Sequence, residues 1–138
     1  MYIIDNKNFF IKKNSTFPIL TYSLTQKIME KYGITSEMME NVALTFSMID
    51  SDNGLYKIAN VPADLIVNED ISKFPSKCKY NLTYQFKESN TTKTGRFYGE
   101  FKLDFIDSNG HNYAKMTLPI EDKINITISD SITKTTKI

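Results

Sequence analysis

Cysteine, histidine and arginine each occur once in this 138-residue chain, as Cys78, His111 and Arg96. One cysteine excludes an intrachain disulfide and a cysteine-based zinc site. One histidine, beside Asn109-Gly110 and with no serine elbow in the chain, cannot build a His-rich metal site or a catalytic triad. One arginine leaves little for bidentate recognition of phosphates or bases. The 17 basic and 16 acidic residues give a net charge of +1 and do not run in blocks, so the field that would steer nucleic acid or an anionic membrane surface is missing. No apolar run approaches the ~20 residues of a membrane helix. The start, Met1-Tyr2-Ile3-Ile4-Asp5-Asn6-Lys7, lacks the basic, apolar and small-residue sections of a secretory signal. A cytoplasmic protein without nucleic-acid or membrane partners is expected.

What is present is ordinary globular material, 41% hydrophobic and 24% charged, of a length suited to one domain. Strict alternation dominates. In Arg96-Phe97-Tyr98-Gly99-Glu100-Phe101-Lys102-Leu103-Asp104-Phe105 the large apolar residues share one parity and the charges the other, as in a half-buried strand. Asn109-Gly110 then supplies a hairpin turn, and residues 113–120 and 123–128 follow as two more alternating runs, so residues 94–128 read as a three-stranded antiparallel unit. Upstream, residues 42–50 alternate, Asp52-Asn53-Gly54 turns, and residues 55–59 return as a hairpin partner. Val61-Pro62-Ala63 should break that strand before a short apolar one at Leu65-Ile66-Val67, and residues 69–79 read as a loop. Tyr80-Asn81-Leu82-Thr83-Tyr84-Gln85-Phe86 alternates throughout, and the polar residues 87–95 are long enough to cross between sheets.

Near the start, two extended segments meet at Asn14-Ser15, and Pro18 makes the second an edge strand or bulges it there. Leu24, Ile28 and Tyr32 recur every four residues, with Ser23 or Thr25 as a cap and Gly33 as a stop, and Thr35 or Ser36 can cap a second short turn of helix. The expected fold is therefore all-β, an antiparallel immunoglobulin-like sandwich of about seven to nine strands with a helical insertion over residues 25–41. Residues 1–128 form one domain with a short N-terminal arm, and 129–138 form a C-terminal arm.

The chemical candidates reduce to ordinary roles. Asp50, Asp52 and Gly54 resemble a calcium loop, but Val61 stands where its bidentate acid belongs. Glu100 and Asp104 share the solvent-facing parity, which suits surface charges better than an acid/base pair. Phe46, Tyr84, Phe86, Phe97, Phe101 and Phe105 fall at core parity. Tyr98 faces out between Arg96 and Glu100 and is a candidate contact residue. Arg96, Tyr98, Ile132 and Ile138 are the candidate interface positions. No catalytic residue, cofactor or metal is expected.

Four stretches carry a resemblance: Lys12-Lys13-Asn14-Ser15-Thr16-Phe17, the Tyr-x-Leu-x-Tyr-x-Phe of residues 80–86, the loop end Thr94-Gly95-Arg96-Phe97-Tyr98-Gly99-Glu100-Phe101, and the Ile-x-Ile-x-Ile of residues 124–128. In this order they resemble the amino-terminal immunoglobulin-like domain of upper baseplate and tail-fibre proteins of tailed bacteriophages, from which the helical insertion departs. The resemblance implies a non-enzymatic structural virion protein, assembled in the host cytoplasm. It would be a small adaptor or decorating subunit of tail, baseplate or fibre, with other virion proteins as partners and a trimer or ring of its own copies. The alternative is a carbohydrate- or small-ligand-binding β-sandwich or barrel.

Overall fold

The computed structural model describes residues 5–68 and 78–130. Among the described residues nine strands and two short α-helices follow one another as β1 (Asn8–Lys12), β2 (Leu20–Leu24), α1 (Gln26–Tyr32), α2 (Ser36–Met39), β3 (Val42–Asp50), β4 (Tyr56–Pro62), β5 (Asp64–Val67), β6 (Tyr80–Tyr84), β7 (Gly95–Ile106), β8 (Asn112–Leu118) and β9 (Ile124–Ser129), with a turn of 3-10 helix at Glu88–Thr91 before β7. They make two sheets, one of six strands in the order β1-β9-β7-β3-β4 with β8 also on β7, and one of three in the order β2-β6-β5. The all-β sandwich with a small helical insertion stands as read from the sequence.

Strand β7 is the spine of the large sheet. Its inward residues Phe97, Phe101, Leu103 and Phe105 are buried, and β3 pairs with it from Val42↔Phe105 to Asp50↔Phe97, bringing in Leu44, Phe46 and Met48. The small sheet supplies Leu20, Tyr22, Leu82 and Tyr84 to the same core. Phe46 lies at the centre, its ring 4.7 Å from Tyr84, 5.1 Å from Phe101 and 6.0 Å from Phe86. Gly99 sits on this inward side because a β-carbon there would come within 2.8 Å of Ile126 Cδ1 and 3.0 Å of the Phe46 ring.

The helical insertion forms as its caps direct. The Thr25 hydroxyl accepts from Ile28 N–H, Gly33 closes α1 in the left-handed region at φ 72°, and the Thr35 hydroxyl accepts from Met38 N–H. Met39 is buried and Met29 and Met38 are partly buried against the core, so the insertion packs on the sandwich.

Several expectations change. Residues 94–128 do form a three-stranded antiparallel unit, but not with the strands side by side in chain order: β8 pairs with Phe101–Ile106 of β7 and β9 with Gly95–Gly99, while β3 takes the opposite edge. β8 and β9 therefore lie end to end along one edge of β7, separated by an excursion over residues 119–123. The sheets are not wholly antiparallel, since β1 runs parallel to β9. Val61-Pro62 does not break β4. Ala63 N–H donates to Leu44 O, so the Pro62 nitrogen one residue earlier faces solvent, where its missing hydrogen costs no ladder bond. Pro18 falls in the link between β1 and β2, and the edge strand is β2 itself. Ser129, assigned to the C-terminal arm, closes β9 opposite Lys12. The loop reading of residues 69–77 and the arms 1–4 and 131–138 lie outside the described residues.

Candidate interaction face and groove

The outer face of the large sheet gathers residues that are distant in sequence. Asn8 lies opposite Asn125, Asn125 opposite Tyr98, Tyr98 opposite Ile49, and Ile49 opposite Tyr56, so one row crosses five strands. The next row brings Phe10, Thr127 and Arg96 together. Arg96 is exposed and Tyr98 half-buried, so the structure joins these two candidate residues on one face. Phe10 is 67% exposed and Tyr56 60%, which leaves large rings on both flanks of the Tyr98 row. Lys123 Nζ lies 4.2 Å from the Tyr98 ring centre, a cation over the ring face that keeps the phenol body in place. Ile132 and Ile138 lie outside the described residues.

Alternation in the sequence places Ile49 on the parity opposite Met48, but it does not reveal that β4 and β1 extend the same face. Tyr56 and Phe10 were missed for that reason. Tyr56 is the first residue of β4, immediately after the turn in which Asp50 N–H donates to Leu55 O.

A second feature opens where β8 hands over to β9. The excursion, the start of the described chain and α1 enclose a groove of about 510 Å³. Tyr22 and Tyr32 line it beside Ile28, Pro119 and Ile120, with Lys27 and Lys31 on the helix side and Glu121 and Asp122 on the excursion. Burial, and then the proximity of Tyr32, push the Tyr22 phenol above its ordinary range, so it is a neutral hydroxyl that can donate. Lys31 reaches Glu121 at 3.4 Å, and that hydrogen bond, followed by one to Tyr32, holds its ammonium above the usual lysine range. Asn6, at the rim, donates from Nδ2 to Ser23 O and accepts Ser23 N–H at Oδ1, both at 2.8 Å. This side-chain amide occupies the place of a neighbouring strand on the edge of β2.

The remaining candidates have local roles. Asp50 accepts from Lys93 Nζ at 2.9 Å and from Asp52 N–H at 2.8 Å, so the suspected calcium carboxylate is an ion-paired turn residue. Lys93 and then the Asp52 amide lower its carboxyl below the usual range. His111 is exposed, and its backbone N–H donates to Asp107 Oδ1. Cys78 is 1% exposed, its thiol 2.8 Å from Tyr80 O and 3.2 Å from Leu24 O, and burial raises it above the ordinary thiol range. It is a buried donor between β2 and β6 and is poorly placed to react. Among the described residues no group of three or more His, Cys, Asp or Glu is arranged to hold a metal ion.

No protein-family model, curated protein or solved structure matches the chain.

Proposed function

We propose that the protein is a docking module that works through the outer face of its large sheet, and that it serves as a non-enzymatic adaptor or decorating subunit in the tail, baseplate or fibre-attachment assembly of a tailed phage. The observation that carries the docking reading is the row Asn8, Asn125, Tyr98, Ile49 and Tyr56, flanked by Phe10 and Arg96. Tyrosine, phenylalanine and arginine are the residues that supply anchors at protein interfaces, and here they stand on a rigid ladder, so little side-chain or backbone order remains to be lost on binding. The phage assignment rests on the sequence resemblance.

The test uses particles from the source host. A tagged wild-type chain should co-purify with assembled particles, and a Tyr98→Asp, Tyr56→Asp double variant that retains its melting temperature should not. Equal incorporation of both, or absence of the wild type from particles, overturns the assignment.

The groove at residues 119–123 favours a second reading, the binding of a small glycan or similar polar ligand. It offers the partly exposed ring of Tyr32 beside the Lys27 and Lys31 donors and the Asp122 acceptor. Titration against a glycan panel checks it. Binding that Tyr32→Ala abolishes would support this reading, and no binding to any member would remove it.

A further inference from the structure

The edges of the two sheets are treated differently. On β2 the outward backbone groups of Ser23 are occupied by Asn6. On β4 the edge carries Pro62, the left-handed Asn60 and two register shifts. β5 is four residues long and begins with Asp64. β8 carries Lys115 midway along, which self-pairing would set against its own copy. These are devices that blunt an edge.

β1 has another accounting. Lys7 O accepts from Asn125 N–H and Lys13 N–H donates to Ser129 O, both at 2.7 Å, so the odd-numbered residues turn their backbone groups toward β9. Asn8, Phe10 and Lys12 accordingly turn theirs to the open side. Two of those six groups are already used: Asn8 N–H donates to Asp5 Oδ1 at 3.0 Å, and Lys12 O accepts from Ser15 N–H at 3.1 Å. Among the described residues the other four, Asn8 O, Phe10 N–H, Phe10 O and Lys12 N–H, have no protein partner.

We propose that two copies of this chain pair through β1 about a twofold axis at Phe10, joining their large sheets into one continuous sheet. In an antiparallel pair centred there, Phe10 N–H of each copy donates to Phe10 O of the other, and Lys12 N–H of each donates to Asn8 O of the other. The only further bond that this register would form at the same pairs runs from Asn8 N–H to Lys12 O. Those are the two groups that each chain has already satisfied internally. The open set is thus complete under a twofold operation, with no donor or acceptor left over, which is what an isologous interface requires. The two Phe10 rings, each 67% exposed in the single chain, meet on the outer face directly across the axis. Asn8 faces the partner's Lys12 on either side, while just beyond the strand ends Lys7 meets the partner's Lys13, a like-charge pair that this register has to bear.

This pairing goes beyond the docking reading and is separable from it. The test is sedimentation of the purified chain over a concentration series, beside Phe10→Pro and Phe10→Cys. The wild type should be a concentration-dependent dimer. Phe10→Pro removes an N–H that faces away from β9, so the single chain keeps its ladder while the dimer loses two symmetry-related bonds, each worth roughly tenfold, and weakens by about 100-fold. Phe10→Cys should give a covalent dimer with a short bis-maleimide cross-linker, because directly paired residues stand about 5.5 Å apart between α-carbons, with β-carbons wider apart than a direct disulfide prefers. A strictly monomeric wild type, a Phe10→Pro dimer as tight as wild type, or a dimer that Phe10→Cys does not cross-link would each overturn the proposal. A monomer would leave the Tyr98 and Tyr56 test above standing.

Discussion

On its inner face β7 presents Phe97, Gly99, Phe101, Leu103 and Phe105, all buried, whereas its outer face presents Arg96, Tyr98, Glu100, Lys102 and Asp104, none of them buried. Both sets hang on one backbone and share its hydrogen bonds. The inner set is held by shape, down to a glycine that a methyl group would displace from Phe46 and Ile126. The outer set is held mainly by the ladder itself, with Lys123 over Tyr98 as a light restraint. Side chains on the outer face are therefore free to serve recognition at little cost to folding, and those on the inner face are not.

Substitutions on either face can break or sharpen that contrast. Phe101→Ala, on a fully buried ring in contact with Phe46 and Tyr22, should destabilise by about 3–5 kcal/mol in chemical denaturation through the cavity it leaves. A loss below about 1 kcal/mol would show that the inner face tolerates change as the outer one does. Gly99→Ala should cost about 1–3 kcal/mol, since the added methyl can be accepted only if Phe46 and Ile126 move out of a packed core.

Asp50 is the acidic residue on the inward parity of β3, and it sharpens the contrast through pH. Its carboxyl is lowered in the folded chain, so the stabilisation it brings is full above the ordinary carboxylate range and lost as pH falls through its folded value. Lys93 is raised, chiefly by its hydrogen bond to Asp50, so its contribution is full below the ordinary lysine range and is lost only as pH rises beyond it. Thermal melts of wild type should therefore fall more steeply than those of Lys93→Met as the solution is acidified below about pH 4, and converge in strong acid. Parallel curves would mean that the pair contributes nothing. The smallest effect belongs to the outer face. Tyr98→Ser and Tyr56→Ser should each change unfolding free energy by no more than about 1 kcal/mol, with unchanged circular dichroism.

The inner face was legible because alternation fixes which way a side chain points once a strand exists, and the six aromatics assigned to the core, from Phe46 to Phe105, are all buried. The helical insertion was legible from Thr25, Gly33 and Thr35, whose cap geometry is local. Alternation does not say which strand lies alongside. β4 and β5 are separated only by Ala63 yet belong to different sheets, and β1 joins the strand most distant from it in sequence, a pairing decided by packing over the whole chain. For the same reason Arg96 and Tyr98 were visible as outward residues, while their neighbours Phe10, Ile49 and Tyr56 were not. The groove escaped notice because it arises from an interruption between two strands that both pair with β7, and residues 119–123 alone look like an ordinary turn.

The parallel course of β1 and β9 has a mechanical side. Their five registered pairs run from Asn8↔Asn125 to Lys12↔Ser129, with the start of one strand and the end of the other at opposite ends of the ladder. A pull applied to the chain before β1 and after β9 would slide the two strands past each other and load the rungs together, where an antiparallel pair would unzip one rung at a time. The seam that holds the first strand to the last is therefore oriented to resist tension along its length.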